Sequence, residues 1–256
     1  MSQWGNSSSS SQTASNGWSA VGGQTYGVYV PRQDPCGSSS GSAVSMALGL
    51  VTGTVGVETV GSITCAAIRS NMVSIKTTAG LVARDNVVVT KLRGSVGPIT
   101  RIVKGAAMML SVMAGPSPDD PASLKTPFSK ILDYTKSCKI DGLVNSRLGV
   151  PRNNADNPFA AIMSLTPVMK TFDRILDTMR SLAATIIDNG NYTAYAQVNA
   201  DNAPQQIVGP AEYSYDMESY FRSLIVNPRE ILTMEDLIGC TKKLPEEDYP
   251  SRDVAN

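Results

Sequence analysis

The chain has 256 residues, 42% of them hydrophobic, with 22 basic and 22 acidic side chains and no histidine. That composition is too apolar for wholesale disorder, and its zero formal charge gives no electrostatic reason for nucleic acid or an anionic membrane as main partner. The missing histidine excludes a Ser-His-Asp or Cys-His nucleophile system and any histidine-ligated zinc, so a hydrolase built on this sequence needs another base.

Met1 to Asn16 is polar and serine-rich, without the basic flank and apolar block of a secretion signal. Residues 5–25, with consecutive serines from Ser7 to Ser11, read as a flexible low-complexity loop. Asp34-Pro35-Cys36-Gly37 is turn chemistry. It leads through serines and glycines into Ala43 to Leu50, which predict a buried helix of small residues ending at Gly53. Residues 54–59 predict a short strand, and Val60-Gly61-Ser62 a tight turn. β-Branched residues predict strands at 72–77 and 86–90. Residues 99–114 read as an apolar helix closed by Gly115-Pro116-Ser117-Pro118, with Met108, Met109 and Met113 as core packing. The longest apolar stretch, around Ala106 to Ala114, is too short to span a bilayer.

Leu148-Gly149-Val150-Pro151 predicts a strand leaving into a loop. Val168, Met169, Phe172, Ile175, Leu176, Met179 and Leu182 recur at helical spacing, and Ala184 to Asp188 predict a following strand. Lys242-Lys243 and Glu246-Glu247-Asp248 read as solvated surface. Alternating helices and strands argue for α/β layers, with no internal repeat and no visible domain boundary. Cys36, Cys65, Cys138 and Cys240 form no Cys-x-x-Cys pair, which argues against a zinc ribbon or a thioredoxin-type site. Four scattered cysteines read as reduced thiols of an intracellular protein. The sequons at Asn6 and Asn191 are weak signals.

Two serine-glycine turns carry the chemistry: Gly37-Ser38-Ser39-Ser40-Gly41-Ser42 and Glu58-Thr59-Val60-Gly61-Ser62-Ile63. Taken singly, the first is a linker or a helix N-cap. A phosphate-cradling loop is a second option, but neither common glycine spacing of such loops occurs. Taken together, the turns resemble the amidase signature family, in particular its fungal branch. The resemblance starts at Asp34-Pro35-Cys36 and runs through Gly80-Leu81-Val82-Ala83-Arg84 and Val96-Gly97-Pro98-Ile99-Thr100-Arg101. Flanking matches are Gly17 to Thr25, Met234 to Ile238 and Pro245 to Pro250. Gly22-Gly23-Gln24 is similar to a substrate-side loop of the family, or is a plain turn.

The resemblance implies an amidase signature fold, an α/β/α sandwich around a mixed β-sheet, incomplete at both ends of this chain. The whole chain is then one partial domain: a Ser/Gly-rich lead-in over 1–33, the signature core over 34–115 and the remainder over 116–256. It also implies hydrolysis of a carboxamide C–N bond by a Ser–Ser–Lys triad, without metal or other cofactor. By motif position Ser62 is the nucleophile, and Ser38, after a cis peptide bond, is the bridging serine. Backbone N–H groups of Thr59, Val60 and Gly61 form the oxyanion hole, and Gly37 and Ser39 support the site. A hydroxyl needs such help because it is a poor nucleophile at neutral pH.

Several positions depart from the family pattern. Val60 stands where Gly or Asp is usual, and a β-branched residue resists positive φ. Ala66 and Thr78 replace prolines, and Arg93-Gly94-Ser95 replaces a stretch that holds a carboxylate. The family's lysine lies further upstream than the 61 residues before Ser62, so the base is expected to be absent from this chain. Met1 to Asn6 is similar to an internal segment of the family, so the chain reads as a piece of a longer amidase. The alternative is a catalytically inactive, truncated homologue that at most binds a ligand. A transamidating subunit that works on aminoacyl-tRNA shares the signature, and the fungal-type flanks disfavour it. Expected partners are a small-molecule amide and, for an oligomer, further copies of the chain, with no nucleic acid and no membrane span. The expected compartment is the cytoplasm.

Overall fold

The computed structural model describes residues 16–88, 90–128, 130–152, 166–200 and 203–247. The matches at Met1 to Asn6 and at Asp248 to Pro250 lie outside them. The chain forms two compact units, one of residues 1–135 with 209–256 and one of residues 136–208.

The first unit is organised by strand β5 (Ser95–Thr100), whose six residues are all buried. It lies between β3 (Thr54–Glu58) and β4 (Val73–Ser74), antiparallel to both, with Val57 opposite Val96 and Val73 opposite Thr100. β-Branched Val96, Ile99 and Thr100 suit a strand buried on both faces. Gly97 is needed there, because a Cβ would collide with the Ile75 carbonyl oxygen. Ile99 and Thr100 therefore end a strand instead of opening the expected helix over 99–114. Pro98 disfavours helical backbone before it, and Ile102 is extended at φ −134° and ψ 151°. Helix α3 starts only at Val103 and runs to Met113.

Helix α1 (Ser40–Ala47) packs on β3, and α2 (Thr64–Arg69) packs on α1. Their small residues permit close approach. Ala43, Ile63, Ala66, Ala67 and Ile99 form one buried cluster. Val82, Val96, Leu110 and Ala114 form another, with Met113 packed at its margin. Met108 departs from the expected core packing: it is exposed on α3. The described residues of the strand expected at 86–90, all but residue 89, form no strand: Asn86 has φ 58° and the Val87 N–H donates to the Arg84 carbonyl.

Arg84 explains that turn. Its guanidinium is buried and forms a bidentate pair with Asp120, Nε to Oδ2 at 2.9 Å and Nη2 to Oδ1 at 3.0 Å. It also donates to the carbonyls of Lys91 and Gly94, which draws both toward the charge. Asp120 is held below the usual carboxylate range, chiefly by the hydrogen bond from Arg84.

Near the start of the described chain, β1 (Trp18–Ser19) and β2 (Gly23–Gln24) pair as a hairpin, with Gly23 at φ +69° opening β2 opposite Ser19. The Gly22-Gly23-Gln24 segment thus forms one arm of a tight turn.

The second unit contains a parallel pair, β6 (Arg147–Val150) and β7 (Thr185–Asp188), in register from Arg147–Thr185 to Val150–Asp188. Helix α4 (Thr166–Ser181) lies between them in sequence, as a parallel crossover requires, and buries Leu176. Arg152 ties α4 to β7, 2.8 Å from Asp173 and 2.7 Å from Asp188, with its guanidinium 5.5 Å from the Phe172 ring.

A short helix α5 (Tyr195–Ala200) precedes α6 (Ala203–Ser223), a long helix that the periodicity reading missed. Its interior Pro210 and Gly209 mask the pattern. Met217 and Phe221 are buried, while Asp216 and Glu212 accept the N–H groups of Lys91 and Leu92. Helix α7 (Met234–Lys243) starts with a capping box between Thr233 and Asp236. Among the described residues, no helix is long and apolar enough to cross a membrane.

Candidate active site

The two serine-glycine turns meet between β3 and the starts of α1 and α2. The Ser39 N–H donates to the Ser62 carbonyl at 3.1 Å. The Ser39 hydroxyl is fully buried and bonds both main-chain groups of Val57, accepting from its N–H at 3.2 Å and donating to its carbonyl at 3.3 Å. Gly56 makes room for this contact: a Cβ there would lie 2.8 Å from Ser39 Oγ and 2.9 Å from Ile63 Cγ1. Hence the first turn is held on β3 by side chain and main chain together.

The Gly37–Ser38 peptide bond is cis. Ser38 follows it, half-buried, one residue before the Ser39 contact. Cys36, before the cis bond, has φ 57°, its N–H donates to Asp34 Oδ1 at 2.8 Å, and its carbonyl accepts the Ser40 hydroxyl. Ser40 then opens α1.

The second turn is built on Glu58, which sequence reasoning passed over. This residue ends β3 and is only 3% exposed. One carboxylate oxygen accepts the Gly61 N–H at 2.6 Å and the Thr64 hydroxyl at 3.2 Å; the other accepts the N–H groups of Ile63 and Thr64, each at 2.7 Å. A carboxylate supplies enough lone pairs for all four donors, and its charge suits the N-terminal turn of α2. The available signal was an acidic residue four positions before the serine, just ahead of a helix. Ser62 sits inside this frame, 9% exposed. The left-handed position of the turn falls on Gly61, at φ 79°, so Val60 is spared the positive φ that would strain it. Val60 is exposed, and the hydroxyls of Thr59 and Thr90 lie 3.3 Å apart.

The Gly61 N–H thus has its acceptor in Glu58, so of the expected oxyanion-hole donors Thr59, Val60 and Gly61 that of Gly61 is already taken. Lys76 and Lys104 are exposed, and Lys91 Nζ donates to the Arg84 carbonyl at 2.8 Å. Among the described residues, no three His, Cys, Asp or Glu side chains group as a metal site requires.

Cys36 and Cys65 are joined by a disulfide, with Cα atoms 5.9 Å apart. This corrects the reading of four reduced thiols; Cys138 and Cys240 form no disulfide. Sequence spacing carries no contact information, and the fold that joins the two serine turns also brings their neighbouring cysteines together.

Residues 1–189 match the family described as Amidase. A protein of Arthroderma benhamiae named "Putative amidase" is 40% identical over 255 residues, covering 99% of this chain and 42% of its own length. A glutamyl-tRNA(Gln) amidotransferase component of Geobacter metallireducens is 33% identical over 209 residues, covering 80% of this chain and 40% of its own. Among solved structures, native peptide amidase from Stenotrophomonas maltophilia superposes with a TM-score of 0.79 at 27% identity, over 94% of this chain and 51% of that one. The chain therefore spans less than half the length of these curated relatives. The α/β fold is that of the amidase signature enzymes, and the chain belongs to the amidase signature family.

Proposed function

We propose that this chain carries the nucleophile half of an amidase that hydrolyses a small-molecule carboxamide. The observation that carries the reading is the Ser39–Ser62 contact, which brings a cis-serine turn against a buried serine braced by Glu58. Ser62 Oγ attacks the amide carbon, and its proton passes to Ser38 Oγ as Ser38 gives its own to a base. The amine leaves with a proton, and water then releases the acyl group from Ser62. Backbone N–H groups of Thr59 and Val60 stabilise the oxyanion, since the Gly61 N–H is already held by the Glu58 carboxylate. Losing one such donor typically lowers the rate by about 10²–10³. Gly37 permits the turn and Ser39 anchors it. The mechanism calls for no metal or cofactor. The 40% identity over nearly the whole chain to a protein named as an amidase supports hydrolysis over transamidation.

A second reading is favoured by the lysines. No lysine precedes Ser62 in the sequence, and Lys91 is engaged at the Arg84 carbonyl. These 256 residues alone then bind an amide or acyl ligand and turn it over poorly, because removing a positioned base lowers rates by about 10²–10⁴. Self-association is part of the proposal, with the apolar pair Met108 and Val112, exposed one turn apart on α3, as its support. For the compartment, the Cys36–Cys65 disulfide supports oxidising surroundings over the cytoplasm.

The test is hydrolysis of aliphatic and aromatic amides by the purified chain beside Ser62→Ala, together with labelling of Ser62 by a fluorophosphonate. Slow, Ser62-dependent labelling with little turnover is expected. Ordinary enzyme rates that vanish in Ser62→Ala would show that a lysine within these residues acts as base. Equal labelling of both proteins would refute the nucleophile assignment.

A further inference from the structure

The disulfide stands at an unusual place. Cys36 lies two positions before Ser38, and Cys65 three positions after Ser62, so a covalent bond connects the two turns that must cooperate. Each end is anchored. Cys36 is fixed by Asp34 at its N–H and by Ser40 at its carbonyl. Cys65 is buried in α2, its N–H bonded to the Gly61 carbonyl at 2.8 Å, on the helix start that Glu58 caps. Beside this bond, the direct main-chain link between the turns is the Ser39–Ser62 hydrogen bond. A proton relay from Ser62 to Ser38 tolerates little slack, since a misplacement of about 1 Å can lower a rate about 10²-fold.

We propose that Cys36 and Cys65 are positioning residues: their disulfide holds the Ser38 turn in register with Ser62, and its reduction loosens the site while the fold persists. The inference rests on the amidase reading of Ser38 and Ser62. Reduction by a dithiol breaks the S–S bond and forms two S–H groups. The dithiol supplies two electrons and two protons and ends as its own cyclic disulfide. Released thiols leave the rest of the frame intact, because the contacts of Ser39 with Val57 and of Glu58 with α2 do not involve sulfur.

The experiment uses the full chain in four forms: unmodified, Cys36→Ser, Cys65→Ser and the double variant. A non-reduced peptide map establishes the bond, and separate thiols at Cys36 and Cys65 would overturn the proposal. Amide hydrogen exchange then reports the Ser39 N–H, with Leu110 and Ala114 as reporters of the global fold. Fluorophosphonate labelling reports Ser62. The expected result is exchange at Ser39 at least about 10-fold faster, slower labelling by a similar factor, and unchanged exchange at Leu110 and Ala114. Both single variants should match the double one, because the two sulfurs act as a unit. Unchanged Ser39 exchange and labelling in a folded variant overturn the positioning role.

If the serine variants fail to fold, dithiothreitol treatment of the unmodified chain gives the same comparison. Reoxidation must then restore the labelling rate, and failure to restore it counts against the role. Should the unmodified chain label no faster than Ser62→Ala, the amidase reading fails, while exchange at Ser39 still decides whether the disulfide docks the turns.

Discussion

The Ser39 N–H reaches the Ser62 carbonyl at 3.1 Å, and the Ser39 hydroxyl closes on both main-chain groups of Val57. One residue thus joins the first turn to the second and to β3. Ser39→Ala should leave the Val57 groups without their partner in a buried setting, a loss of about 1–3 kcal/mol. A shift in the urea midpoint with unchanged slope would show it. A midpoint within error of the unmodified chain would mean that water or a relaxed turn replaces the hydroxyl.

Glu58 should be more sensitive. Glutamine offers a single acceptor oxygen, so in Glu58→Gln either Gly61 or the Ile63–Thr64 pair faces an amide nitrogen instead of an oxygen. Hydrogen bonds to charged groups contribute about 1.5–3 kcal/mol each, so a fall in thermal midpoint of several degrees is expected. Labelling of Ser62 should slow further, since the turn that aims it is the part released. A variant as stable and as reactive as the original would remove Glu58 from the positioning frame.

The Arg84–Asp120 pair predicts an acid limb. Arg84 holds the Asp120 carboxyl below its usual range, so the unfolded chain binds that proton more readily than the folded one. Stability from this group is complete above the ordinary carboxylate value and is lost as pH falls through the lower folded value. Asp120→Asn leaves a buried guanidinium without its counter-charge, and breaking such a pair lowers stability by about 3–5 kcal/mol near neutral pH. Urea melts from about pH 7 to about pH 2, a range that spans the ordinary carboxylate value, should show the gap between variant and original closing in acid. A gap independent of pH would mean that packing, not charge, makes the contribution.

Gly97→Ala tests the centre of the sheet. Its methyl group would collide with the Ile75 carbonyl oxygen, a main-chain atom that cannot swing aside. Displacing β4 from β5 should lower stability by about 1–3 kcal/mol or more, the range of overpacked cores. Circular dichroism with a urea titration reads this directly. An unchanged melt would show that the β4 edge moves freely.

The turns, the strand at 54–58 and the strand–helix–strand run from Arg147 to Asp188 were legible because local chemistry specifies them: glycine and serine at the turns, β-branched residues in strands, apolar spacing in α4. The strand through Ile99 was not, because an apolar run next to a helix has no period of its own, and pairing on both sides decided it. Helix α6 was hidden by its interior proline and glycine, and packing of Met217 and Phe221 overrides their poor helix preference.

The sequence by itself determined the family resemblance, the two serine turns and the want of histidine, since these are matters of residue identity and spacing. Only the tertiary structure decided that Glu58 braces the Ser62 turn, that Gly61 takes the positive φ next to Val60, and that Cys36 pairs with Cys65. The disulfide joins residues 29 positions apart, which no local pattern encodes; the Glu58 bonds reach only three to six positions, and the acidic residue just ahead of α2 was their local signal. They arise once burial of Ala43, Ile63, Ala66 and Ile99 draws α1, α2 and the sheet into one core.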